Sequence, residues 1–496
     1  MNRRGFFVPK LNKKENNIMQ LGLFDDSQKY KNGLDVMVDT LYNGLKEKIL
    51  LGELDKVYLM RNIAAYLCDD PEFNPVLKTT QWKNRFEVDE YVKNFDKLNT
   101  EQFYSLLNEL KPRIIHSHTL PNEQLYNALK DYKYKNDGKI IFTPHSVVIY
   151  DIISDLVMQN FSDPFIKKIK TLVNEKNMRI LDALVDVNYE SYGSIQKNIR
   201  NFIKDIENTT GIKYLFLKPQ EDMFKLSDKI IAVSDFEKQT IEFFYPEYAY
   251  KLVVIENASD FTDLLNNPES ILRISEGTKE LEKKLGFKRY KDVAFSYIGR
   301  FSDEKGIGTL INAMKLHLPK YKNSRFYFIV PSSQHEYAYT TLKNHLRGYE
   351  SRYLLVPGDN PKAISSLLKT DKFLDYTDRE MIATWINFSD YVVVPSMRES
   401  FGLTALESAL MGTPLIISET DALVDVHKDY AIRYAPADDE TMLAKVLDLV
   451  TQEHPQMYFD LSKRIVKTIN EKNYFEKYSP ENFVNQHMKL YSKYLK

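Results

Sequence analysis

The sequence predicts an α/β protein built from two doubly wound domains with largely parallel sheets. Three observations carry this. Short apolar runs rich in Val and Ile alternate with amphipathic stretches along most of the chain. A charged, strand-poor segment over residues 261–290 separates two such series, which places a domain boundary there. No fixed-period repeat, low-complexity tract or heptad array competes with this account. At 496 residues the chain has room for roughly two to four domains.

The elements follow in order. Gly5–Val8 is a first strand candidate, and Gly33–Leu45 reads as an amphipathic helix opened by a glycine. Lys56–Met60 is a second strand. Arg113–His118 and Lys139–His145 are stronger ones, each ending in a histidine, with a helix over Asn122–Tyr132 between them. Residues 152–218 read as a helical elaboration whose polar helices are solvated. Lys229–Ser234 and Leu252–Ile255 return to strand character. The second series runs through Val293–Ile298, Arg325–Val330, Arg352–Val356, Tyr391–Val394 and Pro414–Ile417. The stretch Pro480–Leu495 is amphipathic, with Phe483, Met488, Leu490, Tyr491 and Tyr494 among polar residues.

Composition narrows the function classes. Lys plus Arg number 68 and Asp plus Glu 69, for a formal net charge of -1, so no global charge draws the chain to nucleic acid. The single cysteine, Cys68, excludes an internal disulfide framework and fits a reducing compartment. No run approaches the ~18 apolar residues of a membrane span, and the first residues lack the apolar segment of a signal peptide. The expectation is a soluble cytoplasmic protein, in contact with the inner face of a membrane only peripherally.

Two strand-to-helix turns in the second series carry chemistry. Gly299-Arg300 through Lys305-Gly306 and Gly308 leads from one strand into a helix starting at Thr309. Glycine turns free backbone amides, a helix amino terminus favours anions, and Arg300 and Lys305 add cations. The glycine spacing matches neither the dinucleotide fingerprint nor the P-loop. The other turn follows Tyr391–Val394. Glu399 lies in its loop, Gly402 permits a tight turn or close approach, and Glu407 stands about one turn into the helix that follows. Both turns belong at one edge of an open sheet, where such folds bind ligands. Cations suit a diphosphate and carboxylates suit hydroxyl groups, and a sugar nucleotide presents both.

With these motifs in place, the chain resembles the retaining glycosyltransferases of the two-domain GT-B fold, in particular the group numbered family 4, with the glycogen synthases as relatives. Tyr297–Arg300 with Lys305-Gly306 resembles the donor phosphate motif, and Pro395-Ser396 through Glu399, Gly402 and Glu407 resembles the family's glutamate pair. Lys229–Ser234 and Val254–Asp260 are similar to family segments of the first domain. The resemblance implies an acceptor-side domain over residues 1–275, a donor-binding domain over 276–475, and a helix over 476–496 that crosses back onto the first.

It also implies roles. Arg300 and Lys305 would hold the donor diphosphate beside Gly299, with Gly33 near the same phosphates. Glu407 would accept from the ribose. Glu399 would contact the transferred sugar, with Ser400, Phe401, Gly402, Leu403 and Thr404 completing that pocket. His145 resembles the family's histidine near the transferred sugar, and His118 is a candidate for lining the acceptor cleft. We place His116 and His118 on opposite faces of their strand, which argues against a two-histidine metal site. The implied reaction is hexosyl transfer from a nucleoside-diphosphate sugar, a UDP-sugar first of all, to an acceptor hydroxyl. It would give an α-linked product without metal or other cofactor. The acceptor is open among saccharides, lipid-linked saccharides, small molecules and proteins. A disaccharide phosphorylase of the same fold and a non-catalytic partner subunit are the alternatives. Three segments depart from the family pattern: Asn32-Gly33 in place of a glycine pair, Val330–Ser333, and Ser418–Ala422.

Overall fold

The computed structural model describes residues 17–21, 33–51, 53–54, 56–60, 100–121, 123–158, 161–176, 178–190, 195–210 and 217–495. Among these residues, short runs form two six-stranded sheets. The first comprises β1 (Asn17–Leu21), β2 (Lys56–Met60), β3 (Ile114–Ser117), β4 (Lys139–Phe142), β5 (Lys229–Ala232) and β6 (Leu252–Val254). The second comprises β7 (Val293–Ile298), β8 (Ser324–Val330), β9 (Tyr353–Pro357), β10 (Tyr391–Val394), β11 (Leu415–Ser418) and β12 (Ile432–Tyr434). Strand order is β2-β1-β3-β4-β5-β6 in one and β12-β11-β10-β7-β8-β9 in the other. Every neighbouring pair is parallel.

Parallel sheets bury both faces, and the side chains show it. On β7, Val293, Phe295 and Tyr297 enter one core, while Ala294 and Ile298 enter another across the sheet. This alternation is the period of two of an extended chain. In both sheets the order reverses at one point, between β1 and β3 and between β7 and β10. Such switch points open a crevice at the carboxyl ends of the strands. The turns that end β7 and β10 therefore face each other.

The helix Pro480–Leu495 packs on the first sheet. Phe483, Val484, Met488, Leu490, Tyr491 and Leu495 share a core with Ile18, Ile114, Ile141 and Ile231 and with the helix Gly33–Leu50. Among the described residues, no helix is long and apolar enough to cross a membrane.

Several sequence expectations need correction. The candidate strand Gly5–Val8 lies outside the described residues, and the run Asn17–Leu21, which the sequence reading passed over, supplies β1. The three-residue edge strand β12 was too short to register as a run. The helix after β7 begins at Ile307, two residues early, because Gly306 in the left-handed region already caps it. The helices between β4 and β5 are not a solvated elaboration. Ile149, Ile153, Ile169, Leu184, Ile199 and Ile203 are buried in the first sheet's core. Their charged faces dominate the composition, but one apolar stripe is enough to dock a helix.

Candidate active site

The two turns of the second sheet are locked together. A Cβ at Gly306 would lie 1.7 Å from the carbonyl oxygen of Pro395, so only glycine lets the β7 turn pass the end of β10. Beside that contact Met397 N donates to Glu304 O at 2.8 Å. The approach sets Lys305 against the glutamate loop, and Lys305 Nζ donates to Glu399 Oε1 at 2.6 Å. Ser396 Oγ donates to the same oxygen at 3.0 Å. Lys305 and Glu399 are thus brought together as a pair. Arg300 is not part of it: its side chain is about half exposed and bonds to Glu304 on the cleft rim.

Glu407 is buried, on the helix Leu403–Leu410 that starts at Gly402 in the left-handed region. Burial raises its pKa against the pull of Arg379, which donates to its Oε1 at 2.5 Å. Arg379 also grips both oxygens of Asp260, at 2.6 and 2.9 Å, and lies over the Phe261 ring at 4.5 Å. The sequence reading named Glu407 without its partner. Arg379 opens the helix before β10 and follows no motif that would have flagged it.

Asp421, quoted in the sequence only as part of a departure, is central. It sits at φ +43, a conformation uncommon outside glycine and a marker of strain at functional sites. Its Oδ2 accepts from Glu399 N at 3.1 Å, and Tyr150 OH donates to its Oδ1 at 2.5 Å. Burial pushes its pKa up to about 7. The signal available beforehand was position, since Asp421 follows β11, the strand beside β10.

The first sheet closes the site from the other side. Ser400 Oγ donates to the carbonyl of His145 at 2.6 Å, and Ser234 Oγ donates to the carbonyl of Ser400 at the same distance. Arg398 Nη1 donates to Asp151 O at 2.9 Å and its guanidinium lies 3.3 Å from Asp155. Between the sheets runs a cleft of about 1720 Å³, lined by His145, Gly299, Lys305, Glu399 and Glu407 among others. Ser400, Phe401, Gly402, Leu403 and Thr404 also line it. Gly33 opens its helix, and the loop before it lies outside the described residues.

His145 is half-buried at φ +60, and burial pushes its pKa down to about 3. His118 does not line the cleft. It is buried behind His145, and the rings of His116 and His118 are 4.0 Å apart. Their placement on opposite faces was wrong, because residues two apart on a strand share a face. Each ring instead bonds protein partners on both nitrogens.

Two facing parallel sheets with a cleft between their carboxyl edges form the GT-B fold of glycosyltransferases. The whole chain superposes on solved structures of that class at low identity. Sucrose-phosphate synthase from Thermosynechococcus elongatus matches with a TM-score of 0.56 and 14% identity, over 96% of this chain and 98% of that one. HepE of Anabaena, solved in complex with UDP, matches with a TM-score of 0.53 and 13% identity, over 96% and 100%. In sequence, residues 278–470 match the family Glycosyl transferases group 1. An uncharacterized glycosyltransferase of Methanocaldococcus jannaschii is 25% identical over 217 residues, 42% of this chain. The chain spans 48% of that curated relative's length.

Proposed function

We propose that the protein is a retaining glycosyltransferase that moves a hexosyl group from a nucleoside-diphosphate sugar to an acceptor hydroxyl, giving an α-linked product. The observation that carries this reading is the Lys305–Glu399 pair, fixed at the switch point of the second sheet by the Gly306–Pro395 contact. A UDP-sugar is the donor to test first, since a fold relative was solved with UDP.

The chemistry follows from the atoms present. The departing diphosphate gains negative charge, and preorganised donors are the largest catalytic resource for such a step. Lys305 Nζ carries three N–H groups, so it can keep Glu399 and still donate to phosphate oxygens. Arg300, exposed on the rim, adds a planar fork of donors, and the amino terminus of the helix Ile307–His317 adds backbone amides. Glu407, held by Arg379, offers its carboxylate to the ribose hydroxyls. Glu399 and the Ser400–Thr404 backbone face the transferred sugar, with His145 across the cleft. These groups supply the charge stabilisation from the protein itself, which supports a reaction without a metal.

The test is incubation with a panel of sugar nucleotides, reading nucleotide release and product linkage. Release with an acceptor-dependent α-linked product is expected. No release, and no thermal shift with any nucleoside diphosphate, would remove the reading. Sugar 1-phosphate made from inorganic phosphate would replace it with a phosphorylase.

A further inference from the structure

Behind His145 lies a continuous run of hydrogen bonds that ends on the C-terminal helix. Gln20 on β1 fixes its direction. The carboxamide oxygen of Gln20 can only accept, so His118 Nε2 must carry the proton of their 3.0 Å bond. A neutral imidazole then has a bare Nδ1, and His118 Nδ1 accepts from His145 Nε2 at 3.1 Å. On the other side Gln20 Nε2 donates to Tyr491 OH at 3.2 Å. The Tyr491 hydroxyl donates in turn to His116 Nδ1 at 2.6 Å, and His116 Nε2 donates to Thr143 Oγ1 at 2.7 Å. Every step pairs one donor with one acceptor. Gln20, His116, His118, Thr143 and Tyr491 are all buried, so a broken link leaves a polar group unpaired.

The run is uncharged. Burial lowers His116 and His118 well below the ordinary histidine value, takes His145 to about 3, and takes His487, stacked on His116, to about 4. No member gains a charge near neutral pH, and what the run conveys is orientation.

We propose that Tyr491 is a positioning residue for His145. Acting through Gln20 and His118, it holds His145 as the Nε2–H tautomer, which leaves Nδ1 as a bare acceptor for a hydroxyl of the transferred sugar. The second half of this statement rests on the sugar-side role of His145 given above. The first half does not. In the observed arrangement the phenol accepts from Gln20 Nε2; without it that amide loses its acceptor, and turning the carboxamide over reverses the bonds to His118 and His145. His145 would then carry its proton on Nδ1 and present a donor where an acceptor belongs.

The experiment is ¹⁵N–¹H correlation of the imidazoles in the full chain without nucleotide, assigned with His145→Gln. Steady-state kinetics follow for wild type, Tyr491→Phe and Gln20→Met. The expected wild-type result is His145 as a single Nε2–H tautomer. Either variant should give a mixture of tautomers, with kcat down about tenfold and KM for the donor nearly unchanged, as a misoriented group requires. Gln20→Met leaves the C-terminal helix intact, so it decides the matter if Tyr491→Phe misfolds. An Nδ1–H wild type, or variants that keep a pure Nε2–H form, overturns the proposal. A mixed tautomer with unchanged turnover overturns the link to the sugar. The expected tautomers in a chain inactive on every donor support the run of bonds and remove the glycosyltransferase reading instead.

Discussion

The two sides of the cleft are built from the same kind of parallel sheet and solve opposite problems. On the second sheet's side, charges are matched: Lys305 with Glu399, and Arg379 with Glu407 and with Asp260, which follows β6 of the first sheet. On the first, the groups behind the cleft are neutral, and His145, His118, Gln20 and Tyr491 are joined by hydrogen bonds. The difference teaches where charge is tolerable. A leaving diphosphate calls for cations, and burying a cation requires an anion beside it. A sugar offers only hydroxyls, and a neutral donor–acceptor chain orients those without the desolvation cost of an ion.

The contrast can be broken most severely at Lys305. Lys305→Ala and Glu399→Ala should each lower transfer by roughly a thousandfold, the scale of lost electrostatic stabilisation. Nucleotide release at saturating donor measures it, and near-wild-type turnover in either variant would overturn the assigned roles. Next comes Arg379→Met, which leaves the carboxylates of Glu407 and Asp260 without their shared cation. A loss of about 3 kcal/mol in urea unfolding is expected, as for breaking other buried pairs. A neutral result would mean that this pair does not hold the second sheet's site.

The pH responses of Asp421 and His145, one from each side of the cleft, have opposite signs. The Asp421 carboxyl is raised to about 7 in the folded protein, so its contribution to stability is present in acid and lost as pH rises to that value. His145 is lowered to about 3, so its contribution is present above the ordinary histidine range and lost as pH falls through it. Asp421→Asn should therefore move the pH of maximum thermal stability upward, and melting curves from about pH 5 to about pH 8 read the shift. An unchanged optimum would exclude Asp421 as the source of the loss on the way from the ordinary carboxylate range up to about pH 7. The smallest effect belongs to Arg300→Ala. Its exposed pair with Glu304 should be worth within about 0.5 kcal/mol to the fold, while donor affinity falls several-fold by titration calorimetry. Affinity unchanged would take Arg300 off the phosphate path.

Sequence legibility follows the same divide. In the second half, strand, glycine turn and charged residue are adjacent in the chain, so Gly299–Gly306 and Glu399–Glu407 could be read locally. The run β7 was delimited to the residue because it is apolar on both faces. In the first half the meaningful neighbours are remote. Gln20 and Tyr491 meet across 471 positions, and nothing in the short run Asn17–Leu21 announces that its glutamine is buried. Asp421 and Tyr150 were missed alike, since their hydrogen bond joins the two halves of the molecule. Between residues 152 and 218 a high charge content masks the apolar stripes by which the helices dock.

The packing of Phe483, Val484 and Tyr491 on a core that includes Ile18 and Leu41 also has a kinetic meaning. These contacts close a loop of more than four hundred residues, which makes the first sheet's outer core a high-contact-order structure. The C-terminal part of the first sheet's covering lies beyond the second sheet in the chain. Refolding should therefore show the second sheet recovering its structure first, with the chain sealing the first as a late, slow clasp.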